Sequence, residues 1–252
     1  MASEERLNML LSLSVIVPAY NEEHTIGSVL HALVKVLPDV HEVIVIDDGS
    51  TDRTAEIAKE FARVFACVRV IQMNRNQGKT AALRTGFAAS TGDIVVVQDA
   101  DLEYDPEDMP SLIEPIVAGK ADVVYGSRFL VKRAARILYF RHYLANKTLT
   151  FLSNLLTDLN FSDVETGYKA FRGEIIRKMV IKSQGFGFEI EVTAKVAKLG
   201  CRVYEVPISY HGRTYEEGKK ISFLDGLAAL YYIARYNLFC PRHKSFTQQP
   251  KL

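Results

Sequence analysis

The sequence predicts an α/β fold: a doubly wound, mostly parallel sheet flanked by helices, with amphipathic helices added toward the C-terminus. Three observations predict it. Short β-branched runs alternate with helical patterns through the first half. Those runs are apolar on both faces, as strands of a covered parallel sheet must be. Polar clusters follow the runs directly, at the strand ends where open α/β sheets bind ligands.

Strands are expected at "LSVIVPA" (13–19), "EVIVIDD" (42–48), "VRVIQM" (68–73), "DIVVVQD" (93–99) and "DVVYGS" (122–127). Between them Ile26, Val29, Leu33 and Leu37 keep helical spacing, as do Thr54, Ile57, Ala58 and Phe61. "DPED" opens another helix, with Asp105 as cap and Pro106 at its first position. The βαβαβ rhythm then changes. Residues 134–161 read as a long helical stretch with Ile137, Phe140 or Arg141, Leu144, Leu152, Leu155 and Leu159 on related faces. A short strand "YKAFR" (168–172), a helix from Phe188 to Leu199 stopped at Gly200, a strand "RVYEVPISY" (202–210) and an amphipathic helix from Phe223 to Leu238 follow. No repeat or low-complexity linker marks a boundary. The expectation is one domain over 1–238, with a nucleotide- and metal-binding half (12–128), an acceptor-side half (129–238) and a disordered polar tail (239–252).

Composition narrows the class. With 252 residues, 48% hydrophobic and 24% charged, the chain can bury a sizeable core. Cys67, Cys201 and Cys240 form no CxxC pair and the six histidines no HExxH, which argues against a disulfide framework or a zinc enzyme and for a reducing compartment. The apolar "NMLLSLSVIVPAY" follows Glu4, Glu5 and Arg6 rather than a basic segment, so it reads as a first strand and not a signal peptide. No run approaches the ~18 apolar residues of a transmembrane helix. The net charge of +1 conceals an asymmetry: residues 1–127 carry 10 Lys+Arg against 20 Asp+Glu, and residues 128–252 carry 21 against 10, giving −10 and +11. Two solvated surfaces would explain this, as would a metal-binding half joined to one that receives anions.

The chemistry-bearing clusters are "PAYNEE" after the first strand, "DDGSTD" after the second, "QDADLE" after the fourth and "GSR" after the fifth. "QGKT" (77–80) lacks the first glycine of a P-loop, since Met73 stands there, and "PAYNEE" lacks the glycines of a dinucleotide fingerprint. Asp99 and Asp101, spaced i, i+2 where a strand breaks, can both reach one hard cation, with Glu103 next in line. Mg²⁺ or Mn²⁺ is commonly held by one or two carboxylates plus substrate phosphates. Asp105, Glu107 and Asp108 suit a helix N-terminus, and Asp52 suits a cap. Lys79 can contact a phosphate or simply occupy a helix's first turn. Arg128 follows a strand end through a tight "GS" turn, which favours a phosphate contact.

"VPAYNEE", "DDGSTDRT", "NQGKTAALRTGF" and "DAD", in this order, resemble the family 2 glycosyltransferases of the GT-A fold. The resemblance continues through "YGSR", "SDVETGYKAFR" and "GFGFEIEVTAKVAKLGCRVYEVPISYHGRTYEEGKK", covering about residues 12–238, and is nearest to the polyprenyl-phosphate (dolichol-phosphate) mannose synthases. It implies that Pro18, Tyr20, Glu22, Ile46 and Asp48 contact base and ribose of a nucleotide sugar. It also places Asp99, Ala100, Asp101 and Glu103 around metal and diphosphate, and Arg128, Arg213 and Lys219 on phosphates of donor or acceptor. Glu103 departs from the glutamine associated with that position in the mannose synthases, which weakens mannose as the sugar.

The implied activity is inverting transfer of a hexose, mannose favoured and glucose or another sugar possible, from GDP-mannose or a UDP-sugar to polyprenyl or dolichyl phosphate. Asp101, Arg128 and Arg213 would carry catalysis, with Mg²⁺ or Mn²⁺ as cofactor. Glu189 and Glu191 could serve a hydroxyl acceptor as base, or only begin a helix; His211 reads as a bystander. The helices near 134–161 and 223–238, with Arg133, Arg136, Arg141, Lys147 and Arg235, suit a peripheral position on the cytoplasmic face of a membrane, or packing on the sheet. No nucleic-acid partner is expected. A hydroxyl acceptor and a non-catalytic nucleotide-sugar-binding module are the competing functions.

Overall fold

The computed structural model describes residues 11–130, 137, 139–212, 223–250 and 252. Its strands are β1 (Leu13–Ala19), β2 (Glu42–Asp47), β3 (Val68–Gln72), β4 (Ile94–Val97), β5 (Val123–Ser127), β6 (Lys169–Arg172) and β7 (Val203–Pro207). They form one sheet in the order β3-β2-β1-β4-β6-β5-β7. Strands β1, β2, β4 and β5 are buried at every position. Their side chains alternate between two apolar clusters, one per face. Ile16, Ile44, Ile46, Val95 and Val97 enter the first, and Val15, Val17, Val43, Val45 and Val96 the second. Each such side chain contributes about 1.5–3 kcal/mol through burial.

The helices are α1 (Ile26–Val36), α2 (Thr54–Val64), α3 (Lys79–Ala89), α4 (Met109–Val117), α5 (Phe140–Thr157), α6 (Gly173–Lys178), α7 (Phe188–Leu199) and α8 (Phe223–Leu238). Ile26, Val29 and Leu33 are buried as their spacing requires, with Leu30 beside them. Asp105 caps a 3-10 turn (Pro106–Asp108) that leads into α4, its carboxylate accepting from the Glu107 N–H at 2.9 Å. Helix α5 is shorter than the expected 134–161. It ends where Asp158 takes a left-handed conformation (φ 57°), while 131–136 and 138 lie outside the described residues.

Strand β6 sets the shape of the site. It runs antiparallel between β4 and β5, pairing Val95 with Phe171 and Val124 with Ala170. An antiparallel strand begins where its parallel neighbours end, so residues 162–168, just before β6, come to the same rim as the C-terminal ends of β1, β2, β4 and β5. The disorder expected of the tail does not hold for residues 239–250. Phe246 packs into the first apolar cluster and Ser245 is fully buried. Backbone bonds also run from Val180 N to Ser245 O (2.9 Å) and from Thr247 N to Lys178 O (2.8 Å). One phenylalanine in a polar segment is enough to seat it. Among the described residues no helix is long and apolar enough to cross a membrane.

Candidate active site

The acidic loop after β4 is held from beneath by Gln98, which is fully buried. Its Nε2 donates to the carbonyls of Asp99 (3.1 Å) and Tyr104 (3.2 Å), and its Oε1 accepts from Tyr168 Oη (2.8 Å), so both ends of the loop are fixed. Between them Leu102 adopts φ 61°. A left-handed non-glycine residue is strained by roughly 1–2 kcal/mol, and such strain persists only where the surroundings impose it. Here the Glu103 N–H donating to Asp101 Oδ1 (3.1 Å) helps impose it.

The carboxylates do not all serve one centre. Among the described residues no group of three His, Cys, Asp or Glu side chains is placed to hold a metal ion. The expected set of Asp99, Asp101 and Glu103 thus does not by itself close a three-carboxylate cage. Asp99 instead pairs with Lys79 Nζ at 2.7 Å, and Glu103 Oε2 accepts from Tyr210 Oη at 2.7 Å. The half-buried Asp101, all hard oxygen, stays at the rim beside these two. That donor set fits a Mg²⁺ or Mn²⁺ completed by diphosphate oxygens, not an all-protein cage.

Lys79 opens α3 and has a second carboxylate, Glu189, at 3.8 Å. Burial opposes its charge, but Asp99 and Glu189 outweigh burial and hold the ammonium above the ordinary lysine value. Gly167 makes room here: a Cβ on it would stand 2.6 Å from Asp99 Oδ2.

The loop before β6 supplies groups that the sequence did not single out. Asp163 receives Arg128 bidentately, Nε to Oδ2 at 2.7 Å and Nη2 to Oδ1 at 2.8 Å. The guanidinium also lies 5.0 Å from the Tyr210 ring. Glu165 Oε1 and Glu189 Oε2 are shielded from solvent and have no hydrogen-bond partner. Burial, reinforced by the nearby Glu189, pushes the Glu165 carboxyl up to about 8. Lys169 is fully buried, bonds the carbonyls of Val164 and Thr166, and is pushed down to about 8 by burial against the pull of the surrounding carboxylates. Glu191, offered by the sequence beside Glu189, is removed from any such role. It accepts from the Lys182 and Ser183 N–H groups and pairs with Lys195 in the interior.

On the nucleotide side Tyr20 is exposed at the rim and Glu22 is half-buried, its Oε2 accepting from Thr25 Oγ1 at 2.9 Å. The Ile46 side chain is sealed in the core and Pro18 and Ala100 are buried, leaving mainly backbone at these positions to meet a ligand. Asp48 braces the next loop, its two oxygens accepting from Gln77 N (2.8 Å) and Gly78 N (2.7 Å). Its neighbour Asp47, which the sequence reading passed over, holds a buried Oδ2 with no partner. His211 is exposed, and its N–H donates to the Glu103 carbonyl at 2.8 Å. Arg213 and Lys219 lie outside the described residues.

A mostly parallel sheet with its acidic loop, basic side chains and unpartnered carboxylates on one rim is the GT-A-type glycosyltransferase architecture that the sequence motifs implied. The particular family follows from sequence: the signature described as Glycosyl transferase family 2 matches residues 14–180, and the chain belongs to that family. It is 32% identical over 206 residues to the polyprenol monophosphomannose synthase of Mycolicibacterium smegmatis, covering 79% of this chain and 77% of that one. It is 31% identical over 233 residues to the undecaprenyl-phosphate mannosyltransferase of Micrococcus luteus, covering 88% and 93%. Against the dolichol-phosphate mannosyltransferase of Pyrococcus furiosus, identity is 31% over 212 residues, 83% of this chain but only 59% of the archaeal one. In fold it matches the glucosyl-3-phosphoglycerate synthase of Mycobacterium tuberculosis, with TM-score 0.72 and 24% identity over 94% of this chain and 84% of that one. That enzyme has been crystallised with Mn²⁺ and UDP and with Mg²⁺ and UDP.

Proposed function

We propose that the chain transfers a hexose, with mannose favoured, from a nucleotide sugar such as GDP-mannose or a UDP-sugar to a polyprenyl phosphate. The observation that carries this reading is the pairing of the acidic rim with half-buried cations, Lys79 and Arg128, beside unpartnered carboxylates, in a chain akin to three polyprenyl-phosphate mannosyltransferases. A divalent cation at Asp101 would neutralise charge on the departing nucleoside diphosphate. The chain's own residues do the rest. Lys79, locked in its charged form, keeps Asp99 from repelling the diphosphate. Asp47, with its unpartnered oxygen, and Tyr20 receive the nucleoside. Glu189 accepts hydroxyls of the sugar, and Glu165, protonated at neutral pH, can donate as well as accept. Arg128, held rigidly by Asp163, directs part of its guanidinium field at phosphate oxygen. An acceptor phosphate is already anionic, so its oxygen attacks C1 as the bond to diphosphate breaks, and no base is required.

A polyprenyl acceptor also places the enzyme at a membrane surface. Phe140, Leu144, Phe151 and Leu155 form an exposed stripe along α5, and Leu227, Tyr231 and Leu238 another along α8. Apolar side chains bordered by Arg141 and Arg235 suit an interfacial helix on anionic lipid. The cytoplasmic side suits the three free cysteines.

A panel of radiolabelled nucleotide sugars with polyprenyl phosphate, scored by extraction of label into organic solvent, tests the whole reading. Label is expected in the solvent only when acceptor and Mg²⁺ or Mn²⁺ are present. Transfer to soluble hydroxyl acceptors alone would replace this reading with one in which Glu189, a buried carboxylate with an unpartnered oxygen, acts as base. Flotation with anionic vesicles is expected to carry the protein upward, less so in high salt. Protein left in the soluble fraction would remove the membrane surface from the proposal.

A further inference from the structure

Beyond the end of β7 the chain runs alongside the acidic loop and is fastened to it repeatedly. Tyr104 and Tyr210 form a backbone bridge, His211 N donates to Glu103 O at 2.8 Å, and Ser209 N donates to Asp108 Oδ2 at 2.5 Å. The Tyr210 side chain occupies the middle of this seam. Its hydroxyl donates to Glu103 Oε2 at 2.7 Å, its ring centre lies 5.3 Å from that of Tyr104, and the Arg128 guanidinium stands 5.0 Å from the same ring centre. Gly212 leaves room for the ring, since a Cβ there would come within 2.7 Å of it. Tyr104 in turn continues the row of tilted rings to Tyr168, 5.3 Å away, and accepts from Gly167 N at 2.8 Å beside Asp99. One aromatic side chain thus touches both an acid of the rim loop and the arginine expected on phosphate.

We propose that Tyr210 is a positioning residue that orients the Glu103 carboxylate toward the cation–diphosphate site through its hydroxyl and sets Arg128 through its ring. The assignment rests on the functional reading above. A carboxylate near a cation site is defined by the group that hydrogen-bonds it, and loss of such an outer partner commonly weakens metal affinity 10- to 100-fold. A ring that only fills space would need no hydroxyl aimed at Glu103. The two parts are separable, because Tyr210→Phe keeps the stack and removes the hydroxyl, whereas Tyr210→Leu removes both.

Mn²⁺ binding to the full chain in the presence of UDP or GDP, followed by electron paramagnetic resonance, reads the first part without turnover. Tyr210→Phe is expected to raise the half-saturating Mn²⁺ concentration about 10-fold with a thermal midpoint close to wild type. Glu103→Ala should do the same, and the double variant should be no worse than either single one. Only Tyr210→Leu should also raise the KM for polyprenyl phosphate. A Tyr210→Phe titration that superimposes on wild type, or additive effects in the double variant, overturns the assignment alone. Wild-type protein that takes up no Mn²⁺ with either diphosphate overturns the metal reading as well.

Discussion

The two ends of the sheet treat charge in opposite ways. At the N-terminal edge of the strands the buried carboxylates Glu42 and Asp122 are saturated. Glu42 accepts from Ser14 Oγ (2.6 Å), the Thr91 N–H (2.7 Å) and Arg69 Nη2 (2.9 Å), and Asp122 accepts from Arg202 Nη2 (2.8 Å), the Arg202 N–H (2.9 Å) and Arg172 Nη1 (3.2 Å). Burial acts to raise both acids, but these donors overcome it and hold each at about 2. At the C-terminal rim Glu165, Glu189 and Asp47 each keep an oxygen without a donor, Glu165 rises to about 8, and Leu102 is strained. A polar group left incomplete in the interior destabilises the fold unless a ligand completes it. The saturated end is architecture, and the unsaturated end is a site.

The largest expected effect belongs to the rim. Asp101→Asn should lower kcat by about 10²–10³, some 3–4 kcal/mol of barrier stabilisation, with little change in the denaturation midpoint. Steady-state kinetics across a Mg²⁺ or Mn²⁺ series checks this, and full activity of the variant or of protein in EDTA would end the metal hypothesis. The opposite edge should show the reverse pattern. Asp122→Ala leaves Arg202 and Arg172 without their shared acceptor and should cost about 2–3 kcal/mol of stability, measured by urea denaturation, while kcat per folded molecule stays at the wild-type value.

The pH dependence sharpens the contrast further. Glu42 has a folded-state pKa below its ordinary 4.5, so its stabilisation is complete above that pH and is lost as pH falls toward about 2. Glu42→Gln should flatten this part of the acid limb, a change of about 1–2 kcal/mol after solvent screening, seen by denaturation at stepped pH. Glu165 has the opposite sign. Its carboxyl is raised from 4.5 to about 8, so it favours the folded state below pH 4.5 and progressively disfavours it as pH rises through about 8. Glu165→Gln should abolish that slope and remove an inflection near pH 8 from the donor KM, a difference of roughly 3- to 10-fold. A donor KM profile identical to wild type would take Glu165 out of the sugar site.

Much of this was legible in advance because it is local. The runs at 13–19 and 42–48 declare buried strands, and Asp105 with Pro106 declares a helix start. The division of the acidic stretch into a rim group and a capping group also follows from neighbouring residues. The partners were not legible. Lys79 is 20 residues from Asp99 and Arg128 is 35 from Asp163, and no spacing rule links such pairs. The tail was misjudged for a similar reason: its polar composition is local, but the cavity that receives Phe246 is built by distant elements.

By itself, then, the sequence determined the alternation of strands and helices, the rim on which the chemistry lies and the family to which the chain belongs, because hydrophobic period, capping and motif order are properties of contiguous residues. Only the tertiary structure decided which charges meet. The antiparallel insertion of β6 brings Asp163, Glu165 and Gly167 to the rim beside Asp99 and Glu189, where Asp99 meets Lys79. In a low-dielectric interior each buried charge must find its counter-charge or change its protonation, and which of these occurs depends on approach in space rather than on order along the chain.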